Sequence, residues 1–228
     1  MTALGIYFYN KGNKRSQFMD REVNVMTNFK AALAQAYDQD AQRRSSKSLR
    51  SWKINERAAF CHLVKHERKS TLLEIGAGTG IDSAYFQQNR IQVTCIDLSN
   101  ESVKKCVERG LNAKVMDFYH MSFPEHSFEA IYALNCLLHA PKKDLAQILQ
   151  GINRVLAPNG LLFIGLYGGY DSEGMWEKDW CDPKRFFSFH TDESIQQVIS
   201  RWFQIEDFHT VPVDDDKLHF QSFTLRKC

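Results

Sequence analysis

The sequence predicts an α/β protein: an open, mostly parallel sheet with helices on both faces and an antiparallel pair at its end. Three observations carry this. From about residue 71 onward, short apolar runs alternate with amphipathic helical patterns, the mark of successive strand–helix units. The glycines Gly76, Gly78 and Gly80 sit between the first run and the next helix, where the chain must turn sharply. Two final extended runs, about 203–213 and 218–226, flank Asp214-Asp215-Asp216, and so short a link favours antiparallel pairing at the sheet edge.

The parallel strands are expected at 71–75, 91–96, 113–116, 128–133 and 161–167. Between the second and third, Ser99 is placed to cap a helix whose apolar side holds Val103, Cys106 and Val107. A longer helix carries Leu145, Ile148, Leu149, Ile152, Val155 and Leu156 on one stripe, and Pro158-Asn159-Gly160 stops it. Ahead of the sheet, Ile54, Ala58, Cys61 and Val64 define a covering helix. Residues 28–37 look helical, 43–50 read as an exposed polar link, and 1–20 as partly disordered. After Tyr167 the rhythm breaks: residues 168–190 are rich in aromatics, glycine and charge without a period, and read as an inserted loop or lid. Ile195, Val198, Ile199 and Trp202 then mark a short amphipathic helix. The expected organisation is an N-terminal extension and helical cap over 1–50, followed by one domain over 51–228 that carries the lid.

With 228 residues, 43% of them hydrophobic, the chain can bury a core without disulfide or metal staples. The net charge is +2, far from the basic excess of a chain built mainly to bind nucleic acid. The balance is uneven: residues 1–50 hold nine Lys/Arg against four Asp/Glu, and the remainder 20 against 23. Six cysteines form no C-x-x-C pair and read as core side chains in a reducing compartment. Nowhere do eighteen apolar residues run together, so the expectation is a cytoplasmic protein without a membrane partner. His62 and His66, at i and i+4, lack the company of a carboxylate or cysteine cluster, and Asp214 to Asp216 read as a solvated turn, so no metal is expected.

The segment Glu74-Ile75-Gly76-Ala77-Gly78-Thr79-Gly80 places a flexible turn and a helix N-terminus behind the first strand, suited to a close ligand approach. Position 81 is Ile81, not the third glycine of a dinucleotide fingerprint, and no Gly-Lys-Ser/Thr follows. Asp97 ends the second strand, 19 residues beyond Gly78, where a carboxylate can accept both hydroxyls of a ribose. Asp117-Phe118 ends the third strand, and Ala133-Leu134-Asn135-Cys136 the fourth, followed by Leu137-Leu138-His139. Four strand ends therefore converge on one crevice.

These motifs, with Arg154-Val155-Leu156-Ala157-Pro158-Asn159-Gly160 before the fifth strand, resemble the class I S-adenosylmethionine-dependent methyltransferases over residues 52–226. The resemblance implies a Rossmann-like sheet of about seven strands with an antiparallel last strand, and S-adenosylmethionine as cofactor with S-adenosylhomocysteine as product. By it, Glu74, Gly76, Ala77, Gly78 and Gly80 surround the methionine part, Asp97 with Leu98 holds the ribose, Asp117 and Phe118 the adenine, and Ala133 and Asn135 the methionine amine. Ala36-Tyr37-Asp38 resembles the Tyr-Asp pair that many members place in a helical cover over the cofactor.

The implied activity is methyl transfer to O, N or S of a small-molecule acceptor by direct in-line displacement. His139, at the crevice mouth, is a candidate to orient a substrate or take its proton near neutral pH; Tyr37 and Tyr167 join it as catalytic candidates. Trp176, Trp180, Phe187 and His190 are expected to touch substrate from the lid. A macromolecular acceptor is the alternative, with Lys11, Lys14, Arg15, Arg43, Arg44, Lys47 and Arg50 gripping RNA, or a protein as target. Against base-amino methylation, Asn135-Cys136-Leu137-Leu138 stands where such enzymes carry N/D-P-P-Y/F. A cofactor-binding regulator without turnover is a further class, and oligomeric state stays open.

Overall fold

The computed structural model describes residues 12–46, 48–215 and 217–228, with side chains described from Phe29 onward. Among them run the helices α1 (Gly12–Ser45), α2 (Ser51–His66), α3 (Ile81–Gln88), α4 (Asn100–Glu108), α5 (Lys142–Val155) and α6 (Asp192–Ile199). The strands are β1 (Thr71–Ile75), β2 (Gln92–Asp97), β3 (Asn112–Val115), β4 (Phe128–Leu134), β5 (Leu156–Gly168), β6 (Ser172–Met175), β7 (Phe186–Phe189), β8 (Gln204–Pro212) and β9 (His219–Arg226).

Seven strands form one sheet in the order β3-β2-β1-β4-β5-β9-β8, and β6 and β7 pair separately. β1 lies parallel to both β2 and β4, with Ile75 level with Ile96 and Ala133. β9 runs antiparallel to β5 and β8, so the last strand is inserted inside the sheet and β8 takes the edge. The order reverses at β1 and β4, and the crevice of an open α/β sheet opens at such a point. Buried side chains fill both faces: Leu73, Ile131, Ile148 and Leu149 on one, Phe60, Phe86, Tyr132 and Phe163 on the other.

The helix stripes fall close to the expected positions. Ser99 caps α4, its hydroxyl accepting from Ser102 N at 3.0 Å, and Leu145, Ile148, Leu149, Ile152 and Val155 are the buried face of α5. α2 is rotated from the expected stripe. Its buried residues are Arg57, Phe60, Cys61 and Val64, while Ile54 is 42% exposed. An ion pair turns it: Arg57 Nη1 lies 2.8 Å from Asp82 Oδ1, both side chains nearly buried.

Four expectations are revised. Residues 43–45 belong to α1, whose last turn is held by Asp40 pairing with Arg43 at 2.6 Å and Arg44 at 3.3 Å. α1 also takes in residues 12–20, so only 1–11 of the expected disordered leader lie outside the described residues. α5 ends at Val155, ahead of Pro158, and β5 begins at Leu156. The insertion is an ordered hairpin, β6 against β7, in which Gly174 faces Phe187. No helix among the described residues is long and apolar enough to cross a membrane.

Candidate functional site

The C-terminal ends of β1, β2, β3 and β4 open into a cavity of about 330 Å³, within the range of small-molecule sites. Its floor is built by short-range rules. After β1 the chain turns through Gly76 (φ +66°) and Gly78 (φ +53°), in the left-handed region that favours glycine. A Cβ on Gly76 would stand 2.4 Å from Cys136 Cβ, whereas one on Gly78 meets nothing within 4 Å. Gly76 thus locks the β1 turn against the β4 turn, and Gly78 leaves open space.

Asp97 ties this turn to the next. Its Oδ2 accepts from Gly78 N at 2.8 Å and its Oδ1 from Ser99 N at 2.8 Å. Burial nonetheless pushes its carboxyl up from the usual range. Glu74 accepts from the Ser83 hydroxyl, and burial, reinforced by Asp82 and Cys95, raises it well above the usual carboxylate range. Asp117 accepts from Tyr119 N at 3.0 Å and from Lys30 Nζ at 2.5 Å, and Lys30 also lies 3.6 Å from the centre of the Tyr119 ring. Asn135, at φ +54°, donates its N–H to Gly165 O at 2.7 Å. Its side-chain Oδ1 is buried without a hydrogen-bond partner.

The roof is built by residues far apart in sequence. Tyr37 Oη is 2.6 Å from His139 Nε2, His139 Nδ1 is 2.7 Å from Phe186 O, and Arg185 Nη1 is 3.1 Å from Tyr37 Oη. Asp179 holds Arg185 through Nε at 2.9 Å and Nη2 at 2.7 Å. Desolvation pulls His139 down to about 3, with Arg185 and Arg44 acting in the same direction. Asp38 docks α1 onto the start of α4, accepting from Ser99 Oγ at 2.6 Å and Glu101 N at 3.0 Å.

Of the residues singled out from sequence, Glu74, Gly76, Ala77, Gly78, Asp97, Leu98, Asp117, Phe118 and Asn135 line the cavity, as do Tyr37, His139 and Tyr167. Gly80 and Ala133 are not on its wall. A Cβ at Gly80 would meet Leu111 at 2.6 Å and Cys106 at 2.8 Å, so this glycine packs α3 against α4. Ala133 is fully buried in the sheet. None of the four expected substrate contacts lies on the wall either. Trp176 and Phe187 pack on each other with ring centres 5.2 Å apart. Trp180 is 58% exposed, with Arg43 4.0 Å from its ring centre. His190 is buried, its carbonyl accepting from Gly169 N and Gln221 Nε2. Burial lowers His139 to about 3, so its imidazole is unprotonated but only weakly basic near neutral pH.

Sequence reasoning passed over Phe29, Lys30, Leu33 and Lys53, all on the wall, placed Arg44, also on the wall, in an RNA-gripping set, and missed the Arg185–Asp179 pair behind Tyr37. Lys30 and Leu33 fall in the stretch read as helical, a face that could have been tested against the crevice. Nothing in the aperiodic insertion marks Arg185. Among the described residues no group of three or more His, Cys, Asp or Glu is placed to hold a metal ion.

Residues 73–164 match the family model described as Methyltransferase domain. Sterol 24-C-methyltransferase erg6 of Aspergillus fumigatus is 33% identical over 117 residues, covering 47% of this chain and 30% of that protein. The ubiquinone biosynthesis O-methyltransferase of Xanthomonas oryzae pv. oryzae is 33% identical over 100 residues, 41% of each. The chain thus spans well under half the length of these relatives. Among solved structures, the 1,6-didemethyltoxoflavin-N1-methyltransferase of Burkholderia thailandensis, with 1,6-didemethyltoxoflavin and S-adenosylhomocysteine bound, covers 98% of this chain and 93% of its own at TM-score 0.62 and 19% identity. A second neighbour, the [4+2]-cyclase SpnF, has TM-score 0.58 and 18% identity over 74% of this chain and 80% of its own, so the shared architecture is not tied to one reaction. The family model lies on the segment that builds all four converging strand ends, and the fold is shared beyond that segment with a methyltransferase of known structure.

Proposed function

We infer that the protein transfers a methyl group from S-adenosylmethionine to an O, N or S atom of a small-molecule acceptor. The observation that carries this reading is the floor of the cavity: a glycine turn with open space at Gly78, carboxylates at the ends of β2 and β3, and a buried acceptor oxygen on Asn135 that lacks a donor.

These residues fit the cofactor. An ammonium supplies the donor that Asn135 Oδ1 lacks, which removes the cost of a buried unpaired acceptor. Each Asp97 oxygen takes one backbone N–H and keeps a lone pair for a ribose hydroxyl. Asp117, fixed by Lys30, and the Phe118 ring suit an adenine. When bound, S-adenosylmethionine supplies a methyl carbon that an acceptor's lone pair attacks in line, the C–S electrons returning to sulfur. The chain's own part is alignment and exclusion of water. Tyr37, Tyr167 and His139 line the cavity and are proposed to face the acceptor.

Calorimetric titration with S-adenosylhomocysteine tests the reading. Saturable one-site binding is expected, and no binding at millimolar ligand overturns it. Incubation with labelled S-adenosylmethionine and phenol, amine and thiol libraries, read by mass spectrometry, then identifies the acceptor.

A further inference from the structure

Tyr37, His139 and Arg185 come from α1, the turn after β4, and the approach to β7, and their hydrogen bonds allow one placement of protons. Arg185 can only donate, so its Nη1 at 3.1 Å fills one lone pair of Tyr37 Oη. The Phe186 carbonyl can only accept, so His139 Nδ1 at 2.7 Å carries the hydrogen. Burial keeps the imidazole neutral, which leaves Nε2 bare. Tyr37 therefore donates its single proton to Nε2 at 2.6 Å. The phenol has no further hydrogen to give. One lone pair remains on its oxygen, and Tyr37 and His139 both line the cavity.

A buried ion pair braces the arrangement. Asp179 grips Arg185 at two nitrogens, with side-chain exposures of 0% and 7%. Arg44 lies 4.8 Å from the Tyr37 ring centre and pairs with Asp40 at 3.3 Å. Asp179 thus answers Arg185 alone, whereas Asp40 is shared between Arg44 and Arg43. We propose that this network makes Tyr37 an acceptor-only anchor, with Arg185 as its positioning residue, and that the methyl acceptor is a molecule presenting a hydrogen-bond donor, a hydroxyl or an N–H, to it. Ethers, thioethers and tertiary amines would leave the phenol's lone pair covered and unpaired, which selects against them. The proposal rests on the methyltransferase reading only in naming the bound molecule as the methyl acceptor.

The test titrates the S-adenosylhomocysteine-loaded protein with phenol and with anisole, a pair that differs in the hydroxyl hydrogen, by ligand-observed NMR. The expected result is phenol binding about five-fold tighter. In Tyr37→Phe the preference falls to about one. In His139→Phe it also falls to about one, because the freed Tyr37 proton can now donate to the anisole oxygen, so that anisole gains affinity. Arg185→Met at least halves the preference, Arg185→Lys restores part of it, and cofactor affinity is unchanged in both. Nitrogen-15 NMR is expected to show His139 Nε2 unprotonated in the parent protein. Equal binding of the two probes, no binding of either at millimolar concentration, a preference unchanged in His139→Phe, or a loss of cofactor affinity in Tyr37→Phe overturns the proposal. A protein that binds phenol selectively without the cofactor and never binds S-adenosylhomocysteine would sink the methyltransferase reading and leave the anchor intact.

Discussion

The floor and the roof of the cavity are built by opposite means. On the floor, Gly76, Gly78, Asp97 and Asn135 sit at strand ends, and their contacts are made largely by backbone: Gly78 N and Ser99 N to Asp97, and Asn135 N to Gly165 O. On the roof, Tyr37 meets His139 across 102 residues and Arg185 across 148, through side chains alone. The floor is therefore as rigid as the sheet, whereas the roof holds only while α1 and the hairpin stay docked. A rigid floor suits a cofactor of fixed shape; a side-chain roof can differ between proteins that share this floor.

The largest expected break is on the floor. Gly76→Val forces a Cβ into Cys136 at a positive φ, and S-adenosylhomocysteine binding should weaken by at least about 100-fold; calorimetry that finds near-parent affinity would show that the turn adapts. Asp97 follows. Alanine there removes the acceptor of two backbone N–H groups, so it should cost about 2 kcal/mol of stability in urea unfolding as well as cofactor affinity. Asp97→Asn keeps an acceptor oxygen and should lose about ten-fold in affinity with most of the stability retained. If Asp97→Ala unfolds like the parent, the carboxylate serves the ligand only.

The roof gives the next effect, in pH. His139 is pulled down to about 3, so the unfolded chain binds its proton first as pH falls. The neutral, buried form contributes stability above the ordinary histidine range, near 6.5, that is lost progressively between there and about 3. The loss is about 2 kcal/mol by pH 5. Glu74, Asp82 and Asp97, all raised, act in the opposite sense, so the comparison must be with a variant. His139→Phe should unfold with a flatter acid limb than the parent, and an unchanged slope would mean the histidine opens to water before the fold does. The smallest effect is at the rim. Trp180→Ala removes the exposed contact with Arg43 and should lower stability by about 0.5 kcal/mol in thermal melts.

The same division explains what could be read in advance. Ser99 announces the start of α4 because its hydroxyl caps the helix locally, and the α5 stripe announces its buried face because one helix side must meet the sheet. Asp97 and Asp117 were legible because parallel strands align their C-terminal ends. The α2 stripe was misjudged because Arg57 pairs with Asp82, an attraction no periodicity encodes. Trp176 and Phe187 were assigned to substrate because aromatic content does not tell a hairpin core from a ligand wall.

The sequence by itself determined the sheet, its mostly parallel order, the glycine turn and the carboxylates around it, since these follow from local geometry and from the single direction in which parallel strands point. Only the tertiary structure decided that Gly80 packs helices while Gly78 opens to the cavity, that His139 is buried, and that Arg185 reaches Tyr37. Those outcomes depend on burial and on hydrogen bonds between distant segments, which exist only after the chain has closed over the crevice.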